Sequence, residues 1–328
     1  MAQVTSEDPT AGPPVEPEPV GVEVSQQVIG RTPWELFWRR FRRDRFALGG
    51  LVIVVLMLAI ALLAPVIASF THDPNDVDLS QLDSFGIPLG PSSVYWFGAD
   101  TAGRDLFVRV MYGARTSLFI ALFATGLASL IGVTLGVLAG FYRGKIDTVI
   151  SRTTDVVLSL PVLLLALGLV SACGVSKEGC LGGLIKPGLL LVSYVIALFT
   201  WPYIARIVRG QVLSLREKEF VEAARSLGST NRRIMFREIL PNCMASIIVY
   251  TTLIIPSNIL FEAALSFLGI GVPQETPSWG RQLSDAGSIF TVAWWMMVFP
   301  GMFLFLTTLA FNVVGDGMRD ALDPRTGG

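Results

Sequence analysis

The stretch from Phe46 to Phe70 holds no charged residue. As a helix rising about 1.5 Å per residue it would exceed the roughly 30 Å hydrocarbon core of a bilayer. Lipid offers no hydrogen-bonding partner to a backbone, so such a run crosses as a helix. Further apolar runs follow at Ser117–Tyr142, from near Asp155 to about Ala172, at Leu189–Val208, at Met244–Leu260 and at Thr291–Val314. The fifth extends through Glu262 toward Leu268. Only 16% of residues are charged and mean hydropathy is +0.59, whereas soluble domains carry about 25% charge. The expected fold is an all-α integral membrane protein of six transmembrane helices. In the second run Gly132, Gly136 and Gly140 recur every fourth residue, which marks close helix packing in lipid. Trp201-Pro202 is a kink site in the fourth.

Between the fourth and fifth runs lies a charged stretch, EFVEAARSLGSTNRRIMFREILP, from Glu219 to Pro241. It reads as two short helices. Phe220, Ala223, Ala224 and Leu227 share a face of the first. Gly228 stands where a left-handed residue closes a helix. Ser229 or Thr230 caps the second, which carries Ile234, Phe236 and Ile239. Pro241 is expected to end it. A compact amphipathic hairpin between two spans is a docking surface for a soluble partner.

Glu222-Ala223-Ala224, Gly228 and the closing Ile239-Leu240-Pro241 resemble the EAA loop of ABC-importer permeases. Three further stretches resemble the dipeptide/oligopeptide branch, which also includes nickel permeases. They are Phe97-Gly98-Ala99-Asp100-Thr101-Ala102-Gly103-Arg104-Asp105 with Tyr112-Gly113-Ala114-Arg115, then Glu262–Gly269 with Pro277-Ser278-Trp279-Gly280, and the tail Gly315–Arg325. The chain looks like the second (C-type) permease subunit. The resemblance covers nearly everything beyond residue 30. It implies a type I importer permease fold, with Phe220, Glu222, Ala223, Ala224, Gly228 and Pro241 coupling the spans to an ATPase. It also implies a complex with a homologous permease, two ATPase subunits holding ATP and Mg, and an extracytoplasmic substrate-binding protein. The transported solute is then a dipeptide or oligopeptide, or else nickel or another small solute.

Residues 1–30 contain five acidic and no basic residues, are rich in Pro and lack any apolar period. They are expected to be a disordered cytoplasmic tail. In residues 31–45, Trp34, Phe37, Trp38 and Phe41 fall on one helical face amid five of the segment's six arginines. That is an interfacial helix against anionic lipid. Of the 25 Lys and Arg, 19 lie in the N-terminal segment, around Arg143–Arg152, in Arg206–Arg237 and in the C-terminal tail. The positive-inside bias puts both termini and the hairpin, delimited as 209–241, in the cytoplasm, and the resemblance implies a multi-pass protein of a bacterial plasma membrane. Residues 315–328 are read as a C-terminal tail.

The Phe97–Asp105 run suggests a tight, salt-bridged turn in a long polar loop. His72, the single histidine, reads as a solvated loop residue. Cys173 and Cys180 flank a short loop and form either a disulfide, if that side is oxidising, or two free thiols. No metal-ligand cluster is spaced for binding, and no basic stripe with interleaved aromatics suits nucleic acid. No Gly-x-x-x-x-Gly-Lys-Ser/Thr loop occurs, so ATP hydrolysis belongs to partners and the chain is not itself an enzyme. Thr251, Thr252, Ser257 and Asn258 are the polar residues of the fifth span. They are candidates for the substrate pathway, unless they serve local backbone carbonyls. The first, second and sixth spans hold no ionisable residue, and Asp155, Arg206 and Glu262 fall near span ends. This argues against a stand-alone proton-coupled carrier.

Overall fold

The computed structural model describes residues 33–175 and 185–322. The acidic tail, Cys180 and the last six residues lie outside them. Five helices are long and apolar enough to cross a membrane, and a sixth crossing is reached when one bent helix pair is taken as a single span. Among the described residues there is no strand, only two isolated bridges, Leu82 with Pro88 and Ala99 with Asp105.

Helix α1 (Pro33–Phe41) leads through a turn into α2 (Arg45–Phe70). Asp44 caps α2, its Oδ1 accepting from Phe46 N at 2.9 Å and Ala47 N at 3.0 Å. The aromatic face of α1 is divided. Phe37 and Phe41 are buried with Ala47 and Ala321, while Trp38 stays exposed under the Arg42 guanidinium at 5.2 Å. Part of the face read as lipid-facing therefore packs on the protein itself.

Helix α3 (Leu106–Tyr142) begins eleven residues before the expected span at Ser117. Asp105 caps it, accepting from Phe107 N at 2.9 Å. Its first turns contain Arg109, which is 1% exposed. This charge hid the helix in the sequence, because protein and not lipid surrounds it. The glycine stripe packs against α6 (Leu189–Leu215). A Cβ on Gly132 would come within 2.8 Å of Trp201 O and of Ile204 Cβ, one on Gly136 within 2.7 Å of Ala205 O, and one on Gly140 within 2.7 Å of Val212 Cβ. Helix α6 runs on through Pro202 and beyond Val208.

The expected cytoplasmic loop at Arg143–Arg152 is instead a helix, α4 (Gly144–Ser159), bent by 87° from α5 (Val162–Val175). Leu160 is extended before Pro161, the conformation proline imposes on its predecessor. Asp147 and Asp155 clip α4 to Arg209 and Arg206 of α6, at 2.8 Å and 3.0 Å.

Beyond α6 come α7 (Glu219–Ser226), α8 (Asn231–Arg233), a π-helical turn at Ile234–Ile239 and α9 (Leu240–Phe267). The last three form one 37-residue helix. Pro241 therefore does not end the second hairpin helix. It sits in the first turn of α9, where the π turn has already shifted the ladder, with Leu240 N bonded to Met235 O. A proline there lacks an N–H that is dispensable. Helices α10 (Trp279–Ala286) and α11 (Trp295–Leu322) complete the chain. Residues 315–322, read as tail, are the last turns of α11, packed on α1 and α2.

Candidate functional site

The hairpin stands on three buried side chains. Val221, Ile234 and Ile239 are wholly buried, and Met235 nearly so. Because of the π turn, Met235 faces inward where Phe236 was expected. Phe236 is 56% exposed and Leu227 is 86% exposed. Phe220, Glu222 and Ala223 are exposed as well, and Ala224 is half-buried. Gly228 has φ +77°, with open space around the position a Cβ would take. Thr230 caps the second helix, accepting from Arg233 N at 3.4 Å. One hairpin thus presents Phe220, Glu222, Ala223, Leu227 and Phe236 to solvent, while Pro241 lies apart in the membrane helix.

The fifth-span candidates separate. Thr252 donates to its own helix at Ile248 O, 2.9 Å away, and Thr251 meets Ser129 of α3 at 3.1 Å. Asn258 is buried and ties three helices together. It accepts from Thr200 Oγ1 of α6 at 3.0 Å and donates to Thr125 Oγ1 of α3 at 2.8 Å. Ser257 and Asn258 border a cleft of about 420 Å³ between α5, α6 and α9, walled by Phe199, Tyr203, Tyr250 and Phe261. The tyrosines were missed in the sequence, because nothing local marks which face of a span is concave.

Residues 132–328 match the binding-protein-dependent transport system inner membrane components, and residues 32–88 the N-terminal TM domain of oligopeptide transport permease C. The chain belongs to this permease family. It is 40% identical over 316 residues to a dipeptide transport system permease protein of Alkalihalophilus pseudofirmus, covering 96% of this chain and 97% of that one. It is also 40% identical over 295 residues to a glutathione transport system permease protein of Pectobacterium atrosepticum, covering 90% and 92%. In structure it resembles the inward-facing MetNI methionine ABC transporter, with TM-score 0.55 at 19% identity, over 66% of this chain and 98% of that one. The fold is that of a type I importer permease.

At the opposite end the permease is closed by polar groups. Asp100 Oδ2 lies 2.7 Å from Arg104 Nε and 3.3 Å from Arg109 Nε, and Asp100 Oδ1 accepts from Ala102 N and Arg104 N, both at 2.9 Å. Arg109 also donates to Pro74 O at 2.8 Å. The expected salt-bridged turn is present. His72 is not a free loop residue: its Nδ1 is 2.9 Å from Oδ2 of the cap residue Asp105, and its ring meets Tyr95 edge-on. Glu262, placed near a span end in the sequence, is fully buried and accepts from Ser266 Oγ at 2.7 Å. Trp279 is wholly buried beside it, bonded to Val110 O at 3.1 Å. Burying a carboxylate here weakens the argument from ion-free spans against a proton-coupled carrier, so membership of the permease family now bears that conclusion. Cys173 is buried near the end of α5, and Cys180 lies outside the described residues.

Proposed function

We propose that this permease moves dipeptides or other short peptides into the cell, driven by ATPase subunits that grip the α7–α8 hairpin. The observation that carries the reading is the hairpin itself. It is held from below by Val221, Ile234 and Ile239, yet leaves Phe220, Leu227 and Phe236 uncovered. Apolar side chains exposed on a charged hairpin mark a protein interface. The peptide assignment rests on the relatives, one named for dipeptides and one for glutathione. Six crossings would put both termini on the face of the hairpin, and the bias of 19 of 25 Lys and Arg supports a cytoplasmic place for that face.

In this mechanism the chain performs no bond chemistry. ATP and Mg would be held by the ATPases, and a substrate-binding protein would deliver peptide to the outer mouth. A homologous permease would complete the pathway, with the cleft at Tyr203, Tyr250, Ser257 and Asn258 on its wall. Glu222 and Ala223 would lie against the ATPase, and the half-buried Ala224 would back them. The test is reconstitution of the purified complex in liposomes with labelled dipeptide. Uptake that requires ATP and the binding protein, and fails with Leu227→Ser, is the expected result. Uptake driven by an ion gradient without ATPase would overturn it.

A further inference from the structure

A second feature sits at the foot of the hairpin. A cleft of about 680 Å³ is lined by Arg143, Arg216, Glu217, Lys218, Glu222, Arg225 and Ser226. Four cations face two carboxylates there. Glu217 is taken by an ion pair with Arg143, which also holds its carboxyl below the ordinary value. Among the described residues Arg216, Lys218 and Arg225 form no ion pair. Arg216 donates to Phe141 O, and its guanidinium and that of Arg225 lie over the Phe141 ring at 5.7 Å and 6.0 Å. Partial burial, then the neighbouring Arg143 and Arg225, lower the Arg216 pKa. Arg143 has a φ of +55° and a ψ of −163°, a backbone conformation essentially confined to glycine. The fold thus holds like charges together, with four cations against two carboxylates.

The chain carries an anion of suitable form. Residues 1–30 contain Glu7, Asp8, Glu16, Glu18 and Glu23 and no basic residue. We propose that this acidic N-terminal segment docks in the basic cleft beside the hairpin, an intramolecular contact on the flank of the ATPase-binding surface. The two lie on one face of the membrane, because α2 and α3 are consecutive crossings, so the start of α2 and the end of α3 are on the same side. This holds whichever side is cytoplasmic. Reach is sufficient. Glu16 and Glu18 precede Pro33 by 17 and 15 residues, a span of up to roughly 50–60 Å. A chain of this size has a radius of gyration of about 20 Å. Tethering raises the local concentration of carboxylates to about the millimolar range, which compensates for the weakness of each exposed ion pair.

The contact is tested by zero-length carbodiimide coupling of the full complex in native membranes, with the joined peptides identified by mass spectrometry. Lys218 supplies the one amine in the cleft. An amide between Lys218 and a carboxylate of residues 7–23 is expected. It should fall about fivefold or more when the five acidic residues become Gln or Asn, and likewise in high salt. Lys218→Arg keeps the charge and removes the product. Lys218 joined only to another subunit or to a lipid headgroup, or left unjoined while Lys145 reacts, overturns the proposal.

A second readout concerns regulation and rests on the hairpin being the ATPase dock. A segment in the cleft competes with docking, so the neutralised tail should raise ATP-driven uptake at low ionic strength and leave it unchanged at high salt. Unchanged uptake at both, with the Lys218 product present in the unaltered chain, would overturn the regulatory role and leave the contact standing. Loss of ATP dependence altogether would instead strike at the reading of the hairpin.

Discussion

The two ends of this permease are built on opposite rules. At the end that holds α10 and the start of α3, the glycines of the packed helices are crowded. A Cβ on Gly280 would lie 2.5 Å from Ala263 O, and one on Gly113 2.8 Å from Trp279 Cδ1. Charges there are internal, with Asp100, Arg104 and Arg109 all buried. At the hairpin end Gly228 has nothing within 4 Å of its Cβ position, and Leu227 points into solvent. The α10 end pairs its buried charges within the chain, while the hairpin end leaves Leu227 and Phe236 exposed on a charged surface, the one proposed above as a docking site.

That contrast is open to attack by substitution, and the largest effect is expected at the α10 end. Asp100→Ala leaves Arg104 and Arg109 buried without their carboxylate, at a cost of about 3–5 kcal/mol. Thermal unfolding of the purified complex should show it, and an unchanged midpoint would break the comparison. Gly280→Val forces methyl groups against the Ala263 backbone, which cannot swing aside, and should cost about 1–3 kcal/mol. Its expected sign is low membrane abundance with normal activity per surviving molecule.

Gly228→Asp should be milder for stability, about 1–2 kcal/mol for a left-handed non-glycine residue. In this chain the space at Gly228 is open, so crowding would come only from a docked partner. Uptake should nevertheless fall more than tenfold at normal abundance, because the turn sets the aim of the hairpin. Normal ATP-driven uptake would show that the aim is not critical.

The smallest effect concerns Asp285, whose pKa burial raises above the usual 3.8, against the pull of Arg281 and Arg109. A raised carboxyl favours the fold while protonated, so its contribution is present below pH 3.8 and is lost as pH rises through the raised value. Asp285→Asn should flatten that part of the melting-temperature profile and leave the hairpin's ATPase affinity untouched.

The apolar spans and the hairpin were legible because both signals are local. Phe46–Phe70 has no charge to obscure it, and Gly228 with Ala223 and Ala224 upstream needs no distant partner. The rest depends on remote neighbours. Arg109 disguised the start of α3, since a sequence does not say that Pro74, Asn75 and Asp100 will enclose it. The charges of α4 read as loop because their partners, Arg206 and Arg209, lie more than fifty residues away. Asn258 was named from the sequence, but not its bonds to Thr125 and Thr200 on two other helices. Pro241 misled because a terminator for an α-helix is harmless just after a π turn.

That turn has a consequence for inheritance as much as for motion. Ile234–Ile239 contains one residue more than an α-helical path would need. An insertion of this kind is removable: deleting one of the six would leave an unbroken helix and every span intact. It would also rotate the hairpin by roughly 100° about the axis of α9. A single codon thus turns the proposed docking surface by about a quarter-turn, with no change in hydrophobicity to reveal the difference.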